Sequence, residues 1–255
     1  MDGVAFWAAA VVASVLVGMS KGGLPAVGML GVPVLALVIN PVTAAGLLLP
    51  VYVLSDMFGL YAYRHAFDRR VLAILVPGMV AGVVFGWATA TLVPEWAVTA
   101  LVGGIGFVLA LNLLVRHRGP TLPRAARVGP GLFWGSVTGF TSFVSHSGAP
   151  PYQVYTLPLG MTKTVFAGTS TIAFAILNAV KLVPYWHLGQ LSPANLKVAV
   201  VLMPVAAVAV FAGVKLVKLL PEAAFFRFVT WALLALSVKL VWDGLSRGLL
   251  GGVTA

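Results

Sequence analysis

Ser20-Lys21-Gly22-Gly23-Leu24-Pro25 lies inside a long apolar stretch, and Ser145-His146-Ser147-Gly148-Ala149-Pro150 lies inside another, 125 residues further on. Each places a basic side chain, hydroxyls, glycine and proline where a membrane protein normally carries only hydrocarbon. Irregular polar backbone survives at membrane depth only where protein or a cavity surrounds it. Two such interruptions in one chain are how a carrier builds a site near the bilayer midplane.

The surrounding composition makes a membrane the setting. Of 255 residues, 60% are hydrophobic and 9% charged, against about 25% charged in a soluble domain. Stretches free of Asp, Glu, Lys and Arg run over 24–55, 71–94, 96–115, 128–162 and 198–214. Most exceed the roughly 17–25 residues that cross a hydrocarbon core. A net charge of +10 suggests nucleic acid, but the basic residues sit in short loops, as the positive-inside bias requires. No nucleic-acid partner is expected; the bilayer and a small anionic substrate are. Residues 4–19 lack the basic flank of a signal peptide and are expected to be retained. The chain has no cysteine, so disulfides and thiolate chemistry are out of reach. No cofactor and no metal site is expected.

The two motifs belong to a longer internal repeat. At an offset of 125, Ser20, Gly23, Pro25 and Pro33 meet Ser145, Gly148, Pro150 and Pro158, with Lys21 opposite His146. At 122, Ala45, Gly46 and Tyr63 meet Ala167, Gly168 and Tyr185, and Asp56 falls opposite Asn178. At 127, Leu92-Val93-Pro94-Glu95 meets Leu219-Leu220-Pro221-Glu222. The common order of these matches supports a duplication. A first repeat over 1–115 holds a broken stretch, 4–39, and helices 42–63, 71–93 and 95–115. A basic linker, 116–127, follows, expected in the cytoplasm. A second repeat over 128–255 holds a broken stretch, 128–160, and helices 163–183, 196–218 and 223–245.

As one helix, residues 4–39 would run roughly 54 Å, too long for one crossing. Each broken stretch is a hairpin, two short spans, or one span with an interfacial segment. If each is a hairpin or two spans, eleven Lys and Arg residues lie on the linker's side. Lys181, Lys197, Lys239 and Arg247 then lie opposite, with Lys21 inside the membrane. The single-span reading returns the same eleven against four, so charge fixes the linker inside and leaves the repeat relation open. Length favours the hairpin. The expectation is an all-α polytopic membrane protein of two homologous halves, as inverted repeats, each a broken or re-entrant hairpin plus three transmembrane helices.

At a helix break, backbone N–H groups of the next half-helix carry the positive dipole end and suit an anion. Gly22, Gly23 and Gly148 permit close approach; Lys21 supplies charge; Ser20, Ser145 and Ser147 supply hydroxyls; Tyr152 and Gln153 stand nearby. His146 titrates near neutral pH and can carry a proton. Asp56 pairs with Lys21, accepts a coupling proton or makes a structural bond, and Asn178 occupies the matching place. Lys21 at an interface and His146 as a bonded core histidine are the plainer readings.

Around these motifs, GMSKGGLPAVGMLGVPVLAL (18–37) and TGFTSFVSHSGAPPYQVYTLPLGMTKTVFAGTSTIAFAILNAVK (138–181) closely resemble the TauE/SafE family of sulfite and organosulfonate exporters. That resemblance implies a bacterial inner-membrane carrier of small sulfur-containing anions such as sulfite or sulfoacetate. It implies a site on Ser20–Pro25 and Ser145–Tyr152. Many members have a more glycine-rich first motif without lysine, so Lys21 leaves the substrate open. The expected activity is secondary transport with substrate between the two breaks and coupling or gating through Asp56, His146 and Asn178; a passive anion channel is the alternative. An enzyme is not expected: the sequence is read as carrying no HExxH, GxSxG or carboxylate cluster. A homodimer is a possible assembly.

Overall fold

The computed structural model describes residues 3–89, 92–115, 123–189 and 191–251. Residues 116–122 of the expected linker and 90–91 of the expected helix 71–93 lie outside the described residues. The described chain is helical, without strands. The first broken stretch is α1 (Val4–Lys21) followed by two short pieces, α2 (Pro25–Gly28) and α3 (Gly31–Leu35). Then come α4 (Pro41–Tyr63), α5 (Arg69–Ala88) and α6 (Glu95–Val115). The second broken stretch is α7 (Val128–Ser145), α8 (Ala149–Thr156) and a 3-10 turn over Leu157–Leu159. It is followed by α9 (Lys163–His187), α10 (Pro193–Leu219) and α11 (Glu222–Gly251). Among the described residues seven helices, α1, α4, α5, α6, α9, α10 and α11, are long and apolar enough to cross a membrane.

Polar caps fix where these helices start. Asn40 Oδ1 accepts from the Val42 N–H at 2.9 Å, Asp68 Oδ1 from Val71 at 3.0 Å and Ser192 Oγ from Asn195 at 3.1 Å. Each satisfies one of the N–H groups that a helix start leaves unbonded. Proline does not end α9: the helix runs through Pro184 to His187, four residues beyond the end expected from sequence.

The chain forms two compact units. The first draws on 1–72 and 162–222, the second on 73–161 and 223–255. Each therefore takes helices from both repeats. In the first unit, Phe6, Ala10, Ala13 and Val17 of α1 meet Leu47, Leu48 and Val51 of α4 and Ala199, Leu202 and Ala206 of α10. Small residues bring α1 and α10 together: a Cβ on Gly22 would stand 2.6 Å from the Val210 carbonyl oxygen. In the second unit, Gly78 and Gly82 of α5 face Leu132 and Ser136 of α7, while Gly135 and Gly139 of α7 face Leu75 and Met79 of α5. Both pairs have the small-xxx-small spacing through which membrane helices approach closely enough to gain van der Waals contact. In each unit, then, the broken helix of one repeat packs against the second plain helix of the other.

Candidate functional site

The first break is built around the end of α1. Gly22 terminates the helix, and Gly23 follows at φ +107°, a region closed to other residues without strain. A Cβ there would also sit 2.6 Å from Ala167 Cβ and from the Tyr63 hydroxyl oxygen. The carbonyls at the helix end are capped from other helices. Thr171 Oγ1 of α9 donates to Lys21 O at 3.2 Å, and the Tyr63 hydroxyl of α4 donates to Gly22 O at 2.6 Å. Further along, the Tyr52 hydroxyl donates to Gly28 O at 2.5 Å. Side-chain donors thus satisfy carbonyls that the helix break leaves unbonded, as buried backbone requires.

Lys21, in the last turn of α1, reaches the middle of α4. Its Nζ lies 2.7 Å from Asp56 Oδ1, and both side chains are only 4% exposed. The other carboxylate oxygen, Oδ2, accepts from Asn178 Nδ2 of α9 at 2.9 Å. The Tyr52 ring centroid lies 5.1 Å from Lys21 Nζ, within cation–π range. One turn beyond Asn178 on the same face of α9, Lys181 is 2% exposed and interacts electrostatically with both Lys21 and Asp56. Three helices of one unit therefore converge on two ammonium groups, one carboxylate and one amide, all buried. Asp56 and Asn178, matched by the sequence repeat, bond directly to each other. The sequence charge count placed Lys181 on the far side in the hairpin reading and on the linker's side in the single-span reading; in the structure its side chain is buried.

The second motif lies in the other unit. α7 ends at His146, which adopts φ 53°, ψ 20°. Left-handed backbone of this kind normally closes a helix with glycine. It is bridged by the Ser147 N–H, which donates to Thr141 O at 3.2 Å. Gly148 caps α8, whose first turn carries Pro150 and Pro151. Those two positions have no N–H, and α2 on the other side of the repeat is four residues long with Pro25 first. The half-helix starts therefore offer fewer backbone donors than an uninterrupted helix would.

The expected hydroxyl donors are directed to backbone. Ser20 Oγ donates to Val17 O at 2.7 Å, Ser145 Oγ to Thr141 O at 3.1 Å and Ser147 Oγ to Ser145 O at 2.9 Å. Short hydroxyl side chains make such local bonds readily; each oxygen keeps lone pairs but presents no free hydrogen in this state. Tyr152 and Gln153 are fully buried. The Gln153 amide has no hydrogen-bond partner among the described residues at either end, a costly condition that a bound water or polar ligand would relieve.

Sequence reasoning assigned no site role to Lys181, Tyr52 or Tyr63. Lys181 carried a signal, its spacing of three residues from Asn178. The expectation that no GxSxG appears is corrected by Gly244-Leu245-Ser246-Arg247-Gly248, which matches the spacing of a hydrolase nucleophile elbow but lies inside the continuous α11. That motif needs a strand–turn–helix corner to expose its serine. Among the described residues no three His, Asp or Glu side chains gather to hold a metal.

A family model described as sulfite exporter TauE/SafE matches residues 9–240. No curated protein and no solved structure matches the chain.

Proposed function

The chain belongs to the sulfite exporter TauE/SafE family of membrane transporters, and from that premise we propose that it is a secondary transporter of a small sulfur-containing anion, sulfite or an organosulfonate such as sulfoacetate, in the bacterial inner membrane. The observation that carries the site assignment is the buried Lys21–Asp56 pair beside the first helix break. Ionisable groups at membrane depth are costly and mark ion pathways. The second motif, with His146 and the Gln153 amide, unpartnered among the described residues, is proposed as a separate polar site within its own unit.

Charge accounting gives the cluster a mechanism. Lys21 carries one positive charge and Asp56 one negative, so the pair is neutral while Asp56 is ionised. Asp56 occupies Lys21 as an anionic substrate would. When Asp56 takes up a proton, Lys21 is released, and the site gains one unit of positive charge for an incoming anion. Loss of that proton restores the ion pair and expels the anion. Proton and anion are thereby linked through one lysine, and Asn178 holds the carboxylate in place through the exchange.

Proteoliposomes test this with sulfite, sulfoacetate, taurine and sulfate, measured with and without an imposed pH gradient. The expected result is gradient-dependent movement of sulfite or a sulfonate by the parent. In Asp56→Asn, anion movement no longer responds to the gradient. Equal response in parent and Asp56→Asn would remove Asp56 from coupling. Counterflow of labelled substrate is expected from a carrier, whereas a passive channel gives none.

A further inference from the structure

The second unit carries a pocket of about 430 Å³ at the start of α7, lined among others by Arg124, Arg127, Pro130, Trp134, Tyr155 and Pro158. It shares no residue with the cluster around Lys21 and Asp56, and the substrate assignment has no part in it. Two tethers build its wall. The Arg124 N–H donates to Pro158 O at 2.9 Å, and the Tyr155 hydroxyl donates to Arg127 O at 3.0 Å. Residues 123–127 are thereby folded onto the 3-10 turn that follows α8. The two arginines are held by their backbone while their side chains stay exposed. Among the described residues neither forms an ion pair with a carboxylate.

Two neighbours of the pocket narrow the ligand. α7 begins at Val128, directly after Arg127, so the unbonded N–H groups of its first turn add positive potential beside the guanidinium groups. Along the same helix Val128, Leu132 and Phe133 are 55%, 38% and 61% exposed. Exposed apolar side chains on a membrane protein face acyl chains. Trp134 stands next to them in the pocket lining, as tryptophan does where apolar and polar layers meet. A basic cup thus adjoins an apolar strip. A small free anion uses only the cup; a phospholipid uses both.

We propose that this pocket binds the phosphate of an anionic phospholipid, with the acyl chains lying along Val128, Leu132 and Phe133. Guanidinium groups suit phosphate because their forked donors meet two oxygens at once. The positive-inside bias places these arginines at the cytoplasmic leaflet, whose anionic lipids attract basic segments near the membrane.

The test uses the full chain, delipidated in detergent and titrated with phosphatidylglycerol or phosphatidylcholine, with bound lipid counted by native mass spectrometry. The parent is expected to retain phosphatidylglycerol over phosphatidylcholine. Arg124→Gln/Arg127→Gln should bind it about tenfold more weakly or worse. A control with the same loss of charge, Arg70→Gln/Arg227→Gln, should match the parent. Arg124→Lys/Arg127→Lys keeps the charge and should recover much of the binding, which separates the contact from a folding defect. Equal retention by the parent and the glutamine pair would overturn the proposal. So would displacement of the lipid by millimolar inorganic phosphate, which would identify the ligand as a free anion.

Discussion

Two lysines and an aspartate inside a largely apolar protein cost several kcal/mol each to desolvate, and only mutual pairing and hydrogen bonds return that energy. Removing one partner is therefore far worse than removing both. Lys21→Ala is expected to destabilise the protein by about 3–5 kcal/mol, because Asp56 is left buried without its cation. Lys21→Met with Asp56→Leu should cost much less, as read from unfolding midpoints in detergent; equal losses would mean that the pair does not act as a unit. His146 poses a different residue-scale question. Its left-handed backbone is strained for any side chain, so His146→Gly should relieve up to about 1 kcal/mol of strain, set against the contacts that the imidazole gives up. If transport then falls while the fold holds, the imidazole serves the substrate and not the helix end.

Lys21 and Asp56 were legible as charges in apolar surroundings because each interrupts an apolar run, their pairing was one of three readings of Asp56, and the match of Asp56 with Asn178 came from the repeat. Lys181 was not legible for a physical reason. A helix ending at 183, before Pro184, puts Lys181 at an interface, where lysine is unremarkable. The actual helix runs to His187, which moves Lys181 inward to the level of the pair.

Among the elements, helix pairs are set by glycine and alanine and by hydroxyl donors at the break. A Cβ on Gly82 would fall into the Ser136 backbone, whereas at Gly104 it meets nothing within 4 Å. Gly82→Ala should therefore lower the yield of folded protein or its unfolding midpoint, and Gly104→Ala should not. Tyr63→Phe removes the donor to Gly22 O and is expected to cost about 1 kcal/mol; no change would mean that another group caps that carbonyl. The breaks themselves were plain from Gly and Pro, and so were the plain helices from apolar length. The partners were not. The spacings Gly78/Gly82 and Gly135/Gly139 were present in the sequence, but spacing within one helix does not say which other helix it will meet.

Across the whole molecule, the duplication and the compact units divide the chain differently, since each unit combines helices from both repeats. The sidedness of the repeats is open to a direct experiment, because the chain has no cysteine. Single cysteines introduced near residue 3 and near residue 248 can be labelled from either face of inverted and right-side-out vesicles. Inverted repeats with hairpin breaks predict both ends outside; both ends inside would support parallel repeats of plain spans. Family membership assigns transport at this scale, while the anion's place rests on the buried cluster. The measurement that bears on that cluster most directly is uptake of labelled sulfite into proteoliposomes by the parent and by Lys21→Met/Asp56→Leu, matched for folded protein. Uptake by the parent and none by the pair variant is the predicted result; uptake at the parental rate by a variant without those charges would contradict it.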